Sequence, residues 1–393
     1  MFTYLFKRDT ILDTIAVFIV MGLLALLPFN THILDPFKLA LQDFDYNDMA
    51  YSKLEKNKGV PVDTNIVIVN VGNADRMAIA AMTQKIAHAN PKVIGLDVVF
   101  NEKRDSLGDQ LLDGAIRNEP RLVMAYHLQS NDHELRHEGY FFESTRNRGF
   151  VNFVGEEGGV IRHVVPAVNE NDHEYIPFAA AVVKKLSMEK YEALEKRKNS
   201  TEVINYTSSA NKFIVIDGTD LLNGTADAQN LTGKIVLVGY VSSNAFDMED
   251  MHFTPMNSRF AGKSLPDLNG VFVHANIIKM IMEESYIKRT PAWINWVVAV
   301  LLCWLHMALF IRFYLDKHLW FHLVAKTAQI LSAILFVYLG LLVFYKFNIK
   351  ANMTITLVAI ILAVDVLYFY EAFCTWLHKK TGYKTIFAHT SHH

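Results

Sequence analysis

The sequence predicts an α/β water-facing domain, with a mixed, largely parallel sheet and flanking helices, joined to an α-helical membrane region of four transmembrane helices. Three observations predict it. Long apolar runs are confined to the two ends of the 393-residue chain. In the middle, short aliphatic runs alternate with segments of helical period. Lysine and arginine are distributed unevenly among the loops that separate the apolar runs.

The apolar runs cover residues 11–29, 292–311, 328–345 and 353–370. Each is long enough to cross a bilayer. Three such runs packed into the last hundred residues would leave a soluble fold almost no polar surface. The first run follows Lys7 and Arg8, as a signal peptide would, but it ends in LLPFNTH without a small-x-small cleavage pattern, which favours an uncleaved anchor. Residues 1–10 then form an N-terminal tail and residues 377–393 a C-terminal tail. Lys7 and Arg8, then Arg312, Lys317 and Lys326, then Lys379, Lys380 and Lys384 mark three segments as cytoplasmic, against Lys346 and Lys350 in the short link between the last two spans. Residues 30–291 are then outside. Trp293, Trp296, Trp320 and Trp376 lie near span ends, where indole rings prefer the headgroup region.

Charge and cysteine content remove some function classes. The net charge is −2 and no basic stripe appears, so a nucleic-acid partner is not expected. Cys303 and Cys374 both fall in or beside apolar runs, which excludes a disulfide framework for the middle domain.

Within the middle, NIVIVNV (65–71), an amphipathic helix over 74–89 and KVIGLDVVF (92–100) read as a strand–helix–strand unit with parallel strands buried on both faces. A helix near 108–117 and the strand RLVMAYH (121–127) continue it. GFVNFV and residues 160–165 read as strands about the turn EEGG. YIPFAAAVVKKLSM reads as a helix, KFIVID and KIVLVGY as strands, and GVFVHANIIKMIMEESYI as a helix leading toward the second span. The polar stretch 189–211 is expected to be a surface excursion.

These segments carry a family resemblance. VIGLDVVF with Asp109, Leu112 and Ala115, then GFVNF from Gly149, GVIR ending at Arg162, LTGKIVLVG ending at Gly239, Asp247 before Thr254-Pro255, and GVFVHAN with His274 and Asn276 occur in the order of the CHASE type 2 sensory domain family. The chain resembles that bacterial family over residues 37–291 and in having three spans after the domain. The resemblance implies a sensor in the cytoplasmic (inner) membrane, multi-pass, with its domain facing the periplasm or exterior. Val71-Gly72-Asn73 departs from the acidic residues that relatives often carry after the first strand. Relatives usually continue into an output domain, whereas residues 377–393 are too few for one. Any output is therefore expected from a separate protein partner, or is lacking.

Candidate ligand-binding residues are the polar ones inside the family-like motifs: Asp97, Arg162, Asp247, His274 and Asn276. Asp97 should end its strand, where open α/β sheets bind ligands. The competing expectation for each is an internal cap or pair. Asp365, in the middle of the last span, needs protein or water beside it and is expected to pair with His306 or Lys326, to meet a partner, or to sit protonated inside the bundle.

His133-Glu134-x-x-His137 matches the zinc-hydrolase helix motif. Its polar flanks, Arg136 between the ligands and the missing G-x-x-H extension make it a solvated loop. Gly262-Lys263-Ser264 lacks the first P-loop glycine. No catalytic residue, metal or cofactor is expected, and the chain reads as a sensor rather than an enzyme. Expected partners are membrane lipid, an output protein and a small molecule or peptide outside, with self-association left open. The alternatives are an accessory subunit of a membrane complex and, more weakly, a zinc hydrolase.

Overall fold

The computed structural model describes residues 2–26, 45–54, 56–131, 134–155, 159–170, 173–244, 246–257, 265–316 and 318–388. The chain divides into two compact units, Leu41–Ile287 and Met1–Ala40 with Lys288–His393.

In the first unit the main elements are β1 (Asp63–Asn70), α1 (Arg76–His88), β2 (Val93–Asp97), α2 (Ser106–Asn118), β3 (Leu122–Asn131), β4 (Glu134–Glu138), β5 (Arg148–Phe150), α3 (Phe178–Leu186), α4 (Met188–Lys196), β6 (Phe213–Asp217), β7 (Ile235–Gly239) and α5 (Gly270–Met282). Among the described residues, seven strands form one sheet in the order β6-β1-β7-β2-β3-β4, with β5 also on β3. All pairings are parallel except β3 with β4.

Alternation explains why the strands read as unbroken apolar runs. Val67, Val69, Ile94, Leu96, Val236 and Val238 share a core with Ile79 and Ile86 of α1 and Leu112 and Ile116 of α2. The intervening residues Ile66, Ile68, Val93, Ile235 and Leu237 are also buried, on the face that α3 covers: a Cβ on Gly95 would lie 2.8 Å from Leu237 and 2.9 Å from Phe178. Both faces exclude water, so no polar alternation survives. Asp75 caps α1 by accepting from Ala78 N (2.8 Å), and Asp105 caps α2 by accepting from Gly108 N (2.7 Å).

Gly149 is set by contact. A Cβ there would stand 2.5 Å from Phe178 Cα and 2.7 Å from Phe178 N, so β5 runs directly beneath the first turn of α3. Gly149→Ala forces backbone apart and is expected to cost about 2–3 kcal/mol. Faster amide exchange in both β5 and α3 would register it; exchange at the parental rate would disprove the close approach.

The segment 189–211 is not a surface excursion. Its helix α4 buries Tyr191 and Leu194, and Ile204, Asn205, Tyr206 and Ser208 are all within 2% of full burial. The polar residues are paired: Arg197 Nε meets Glu202 Oε1 at 2.5 Å, and Tyr206 Oη donates to Ile161 O at 2.8 Å. Polarity by count misled because its hydrogen bonds are satisfied internally.

The second unit contains helices Arg8–Ala25, Ala292–Asp316, Phe321–Phe347 and Thr354–Thr381. The last three are long and apolar enough to cross a membrane, and each is longer than its apolar run suggested. The first does not qualify, since Arg8, Asp9 and Asp13 interrupt its apolar character, so a four-span count is not confirmed. It nonetheless belongs to the same core: Val17 packs with Cys303, Met307 and Phe310. Outward positions are apolar, among them Ile330, Ile334 and Phe369.

Both ends of this unit are tied. Tyr4 Oη donates to Asp316 Oδ1 (2.9 Å), the Arg8 guanidinium lies over Tyr383 (4.5 Å), and Ile386 N donates to Asp9 Oδ2 (2.9 Å). Elsewhere, Lys288 N donates to Asn348 O (2.8 Å) and Thr290 N to Lys350 O (3.0 Å).

Candidate functional site

The register of β1, β7 and β2 aligns Asn70, Gly239 and Asp97 at the carboxyl edge of three adjacent parallel strands. The chain leaves β1 for β2, and β7 returns later to fill the space between them. Ligands of open α/β sheets bind beyond such edges. Asn70 Oδ1 holds the edge open in a defined shape by accepting from Gly72 N (3.0 Å) and Val241 N (2.9 Å).

A cleft of about 310 Å³ opens there. Asp97, His127, Phe153, Glu249, His252 and His274 are among its lining residues. Asp97 ends β2 and keeps 11% of its side chain exposed; His274, in the second turn of α5, keeps 4%. His274 Nε2 stands 3.9 Å from Asp97 Oδ1, beyond hydrogen-bond reach, and His274 Nδ1 is buried without a partner. Its ring packs against Phe153 (centroids 4.6 Å apart) and Phe178 (5.1 Å).

The electrostatics follow from this burial. Burial, and then the Asp250 charge, raise the Asp97 carboxyl well above the usual carboxylate range. Burial, and then His252, push His274 down to about 3. Asp250 is already used: its Oδ2 accepts from Gly270 N (3.0 Å) at the start of α5, and its Oδ1 lies 3.3 Å from His252 Nε2. A Cβ on Gly270 would come 2.9 Å from that carboxylate, so this approach needs glycine.

Of the five candidate ligand residues, the fold brings Asp97 and His274 together and places the others elsewhere. Arg162 forks onto Asp48, Nε to Oδ1 at 3.0 Å and Nη2 to Oδ2 at 2.6 Å, with both side chains nearly buried. Asn276 accepts from Thr207 N and Ser208 N and donates to Ser208 O and Phe272 O, all within 3.1 Å, which fills its capacity. Asp247 organises its own loop by accepting from Tyr240 Oη (2.7 Å) and Ser243 N (3.0 Å).

Glu134–Glu138 is a strand, not a loop, and pairs with β3. The helical spacing that zinc ligation by His133 and His137 requires is not formed. His137 stacks on Phe142 (3.4 Å), and His133 lies outside the described residues, as does Gly262-Lys263-Ser264. Among the described residues no group of three or more His, Cys, Asp or Glu is arranged to hold a metal ion.

In the helical unit the expected pairing of Asp365 with His306 does not occur. His306 Nδ1 meets Leu302 O and its Nε2 meets Ser332 Oγ, both at 2.7 Å. Asp365 is exposed on the outside of its helix, with no hydrogen bond or ion pair among the described residues, rather than packed inside. The buried carboxylates are Asp9 and Asp13, on the first helix, which sequence reasoning passed over. Asp9 accepts from Tyr370 Oη (3.1 Å) and Ile386 N, whereas both Asp13 oxygens are unpartnered. Their signal was present in the sequence, two acids one turn apart in an apolar run.

No curated protein and no solved structure matches the chain. The model of the CHASE2 domain matches residues 15–311, from within the first helix to near the end of the helix that follows the α/β unit. A match over that share of the chain, together with the parallel sheet and the three apolar helices, makes this protein a member of the CHASE2 domain family of sensory domains.

Proposed function

We propose that this chain is a membrane-anchored extracytoplasmic sensor that binds a small ligand in the cleft at Asp97 and His274 and relays occupancy to a separate partner. The observation that carries the binding step is the pair itself: two nearly buried polar side chains, facing one cleft, neither with a hydrogen bond among the described residues. Buried polar groups left unpaired cost about 1–3 kcal/mol each, which a bound ligand recovers.

Four spans with the α/β unit outside fit the arrangement of the helical unit. Contacts among Tyr4, Asp316, Arg8, Tyr383 and Asp9 gather the N-terminal tail, the end of Ala292–Asp316 and the C-terminal tail, the three segments that lysine and arginine mark as cytoplasmic. Residues 348–350 pair with residues 288–290, beside the start of Ala292–Asp316 and so at the opposite end of that helix from Asp316. Single cysteines at Ser130 and Ser209, in a background lacking Cys303 and Cys374, should react with an impermeant thiol reagent on intact cells, and one at Thr381 should not. The reverse pattern would invert the topology.

The relay needs a reader, because a ligand shifts an equilibrium only by its differential affinity for two states. The chain passes from α5, which carries His274 and ends at Met282, to a spanning helix that starts at Ala292. An outward Asp365 at mid-span costs about 3 kcal/mol against lipid, which a partner's donor removes. Asp365→Leu should therefore reduce co-purification of another chain in mild detergent while leaving amide protection of the sheet unchanged. Recovery without any partner, in several detergents and irrespective of Asp365, would remove the relay.

A further inference from the structure

The chemistry of the cleft lining restricts what it can bind. Its acidic residues are Asp97, Glu249 and Asp250, and no lysine or arginine lines it. Its side-chain donors are largely committed: Tyr240 Oη donates to Asp247 (2.7 Å), and His252 Nε2 faces Asp250. The N-terminus of α5, which would otherwise attract an anion, is occupied by Asp250. What remains open is Asp97 with the imidazoles of His127 and His274, each imidazole offering one acceptor nitrogen when neutral. Asp97 has no hydrogen bond among the described residues. His274, 3% exposed, has an unpartnered Nδ1 and presents one acceptor nitrogen when neutral, whichever tautomer it adopts. Phe153 packs its ring against His274 beside them.

We infer that the cleft takes a small organic cation, a primary or secondary amine whose ammonium hydrogens bond the Asp97 carboxylate and the acceptor nitrogen of His274. An ammonium is all donor and no acceptor, the complement of this lining. A carboxylate or phosphate ligand would meet the acidic side chains Glu249 and Asp250 and no lysine or arginine, whereas an ammonium stabilises the ionised form of Asp97 that burial disfavours. A metal ion is the less suitable cation, since no three-ligand set is in place among the described residues. The inference rests on the cleft being the sensor's ligand site.

The test uses the full chain in detergent micelles and a fragment library balanced among amines, neutral amides and carboxylates, screened by ligand-observed NMR. Ala74 lines the cleft without contributing a polar side chain, so fragments displaced by Ala74→Trp define cleft binders. Amines should dominate that set, and Asp97→Asn should weaken them roughly tenfold or more, the effect of losing one charge-assisted partner. Cleft binders that are mainly amides or carboxylates, or insensitive to Asp97→Asn, would overturn the amine assignment and leave the cleft as the ligand site. Stabilisation of the parent chain by zinc or calcium ions that Asp97→Asn abolishes would reassign the site to a metal. No fragment displaced by Ala74→Trp would overturn both the inference and the binding role of the cleft.

Discussion

Arg162→Met is expected to destabilise the α/β unit by about 3–5 kcal/mol, because it leaves the buried Asp48 carboxylate without its counter-charge, held by the Asp45 N–H (3.2 Å). Asp48 keeps only 2% of its side chain exposed and receives both arms of the guanidinium fork, which spans 114 positions of sequence. Arg162→Lys should recover only part of the loss, since an ammonium cannot satisfy two carboxylate oxygens in one plane. Arg162→Met combined with Asp48→Leu should cost much less than the sum of the single changes, as removing both charges also removes their desolvation. All five tryptophans lie at or beyond position 293, so indole fluorescence reports the helical unit and not this one. Amide exchange of β1 and β7 is the appropriate measure, with an acceleration of roughly 10²- to 10⁴-fold expected for Arg162→Met. A loss below about 1 kcal/mol, or simple additivity in the double variant, would show that the pair is not an internal clamp and would reopen Arg162 as a ligand contact.

Arg162 also shows how far the sequence could be read. The motif that contains it is local and was legible; the partner is 114 residues away and was not. The central strands β1, β2 and β7 were legible because each is an aliphatic run between turn residues, and Asp97 was expected at a strand end although the apolar residues go on through Val98, Val99 and Phe100, which the fold leaves outside β2. Asp250, His252 and Phe153 were missed as companions of Asp97. Asp250 and His252 follow β7 and reach the edge only because β7 returns between β1 and β2, and Phe153 arrives separately, just after β5 on β3. Strand β4 was misread as a loop because an edge strand with one antiparallel neighbour needs no apolar face. Helical facing was similarly hidden. Asp13 and Asp365 both sit in apolar runs, yet Asp13 is fully buried and Asp365 is exposed, a distinction set by which side of each helix the neighbours occupy.

The acid response of His274 is the second large effect. Its imidazole is held near 3 in the folded chain, against about 6.5 in an unfolded one. Below that unfolded value the open chain takes up a proton that the folded chain refuses, so stability falls with falling pH by up to about 1.4 kcal/mol per unit. From pH 6.5 to pH 4 this amounts to about 3 kcal/mol. The wild-type curve will not display it alone. Asp267, which accepts from Thr254 N and Thr254 Oγ1 (both 2.7 Å), is pushed up to about 7 by burial, and Asp97 is raised as well. A carboxyl with a raised folded value gains a proton first in the folded state, so those two groups add stability over much of the same acid range and oppose His274. The informative quantity is the difference between wild type and His274→Gln. At pH 7.5 the variant should be the less stable, having lost the packing on Phe153 and Phe178. That deficit should shrink steadily below pH 6.5 and approach or pass zero near pH 4.5, read by amide exchange of β1 and β7 or by urea titration followed through tyrosine. Asp97, His127, His252, Asp250 and Glu249 are the titratable residues that share the cleft with the ring, and Asp97→Asn should change the size of the effect without changing its sign. A deficit that stays constant from pH 7.5 to 4.5 would mean that His274 titrates alike in the folded and unfolded chains. The neutral imidazole would then no longer be an acceptor built into the fold, and the proposed ligand site would lose half of its pair.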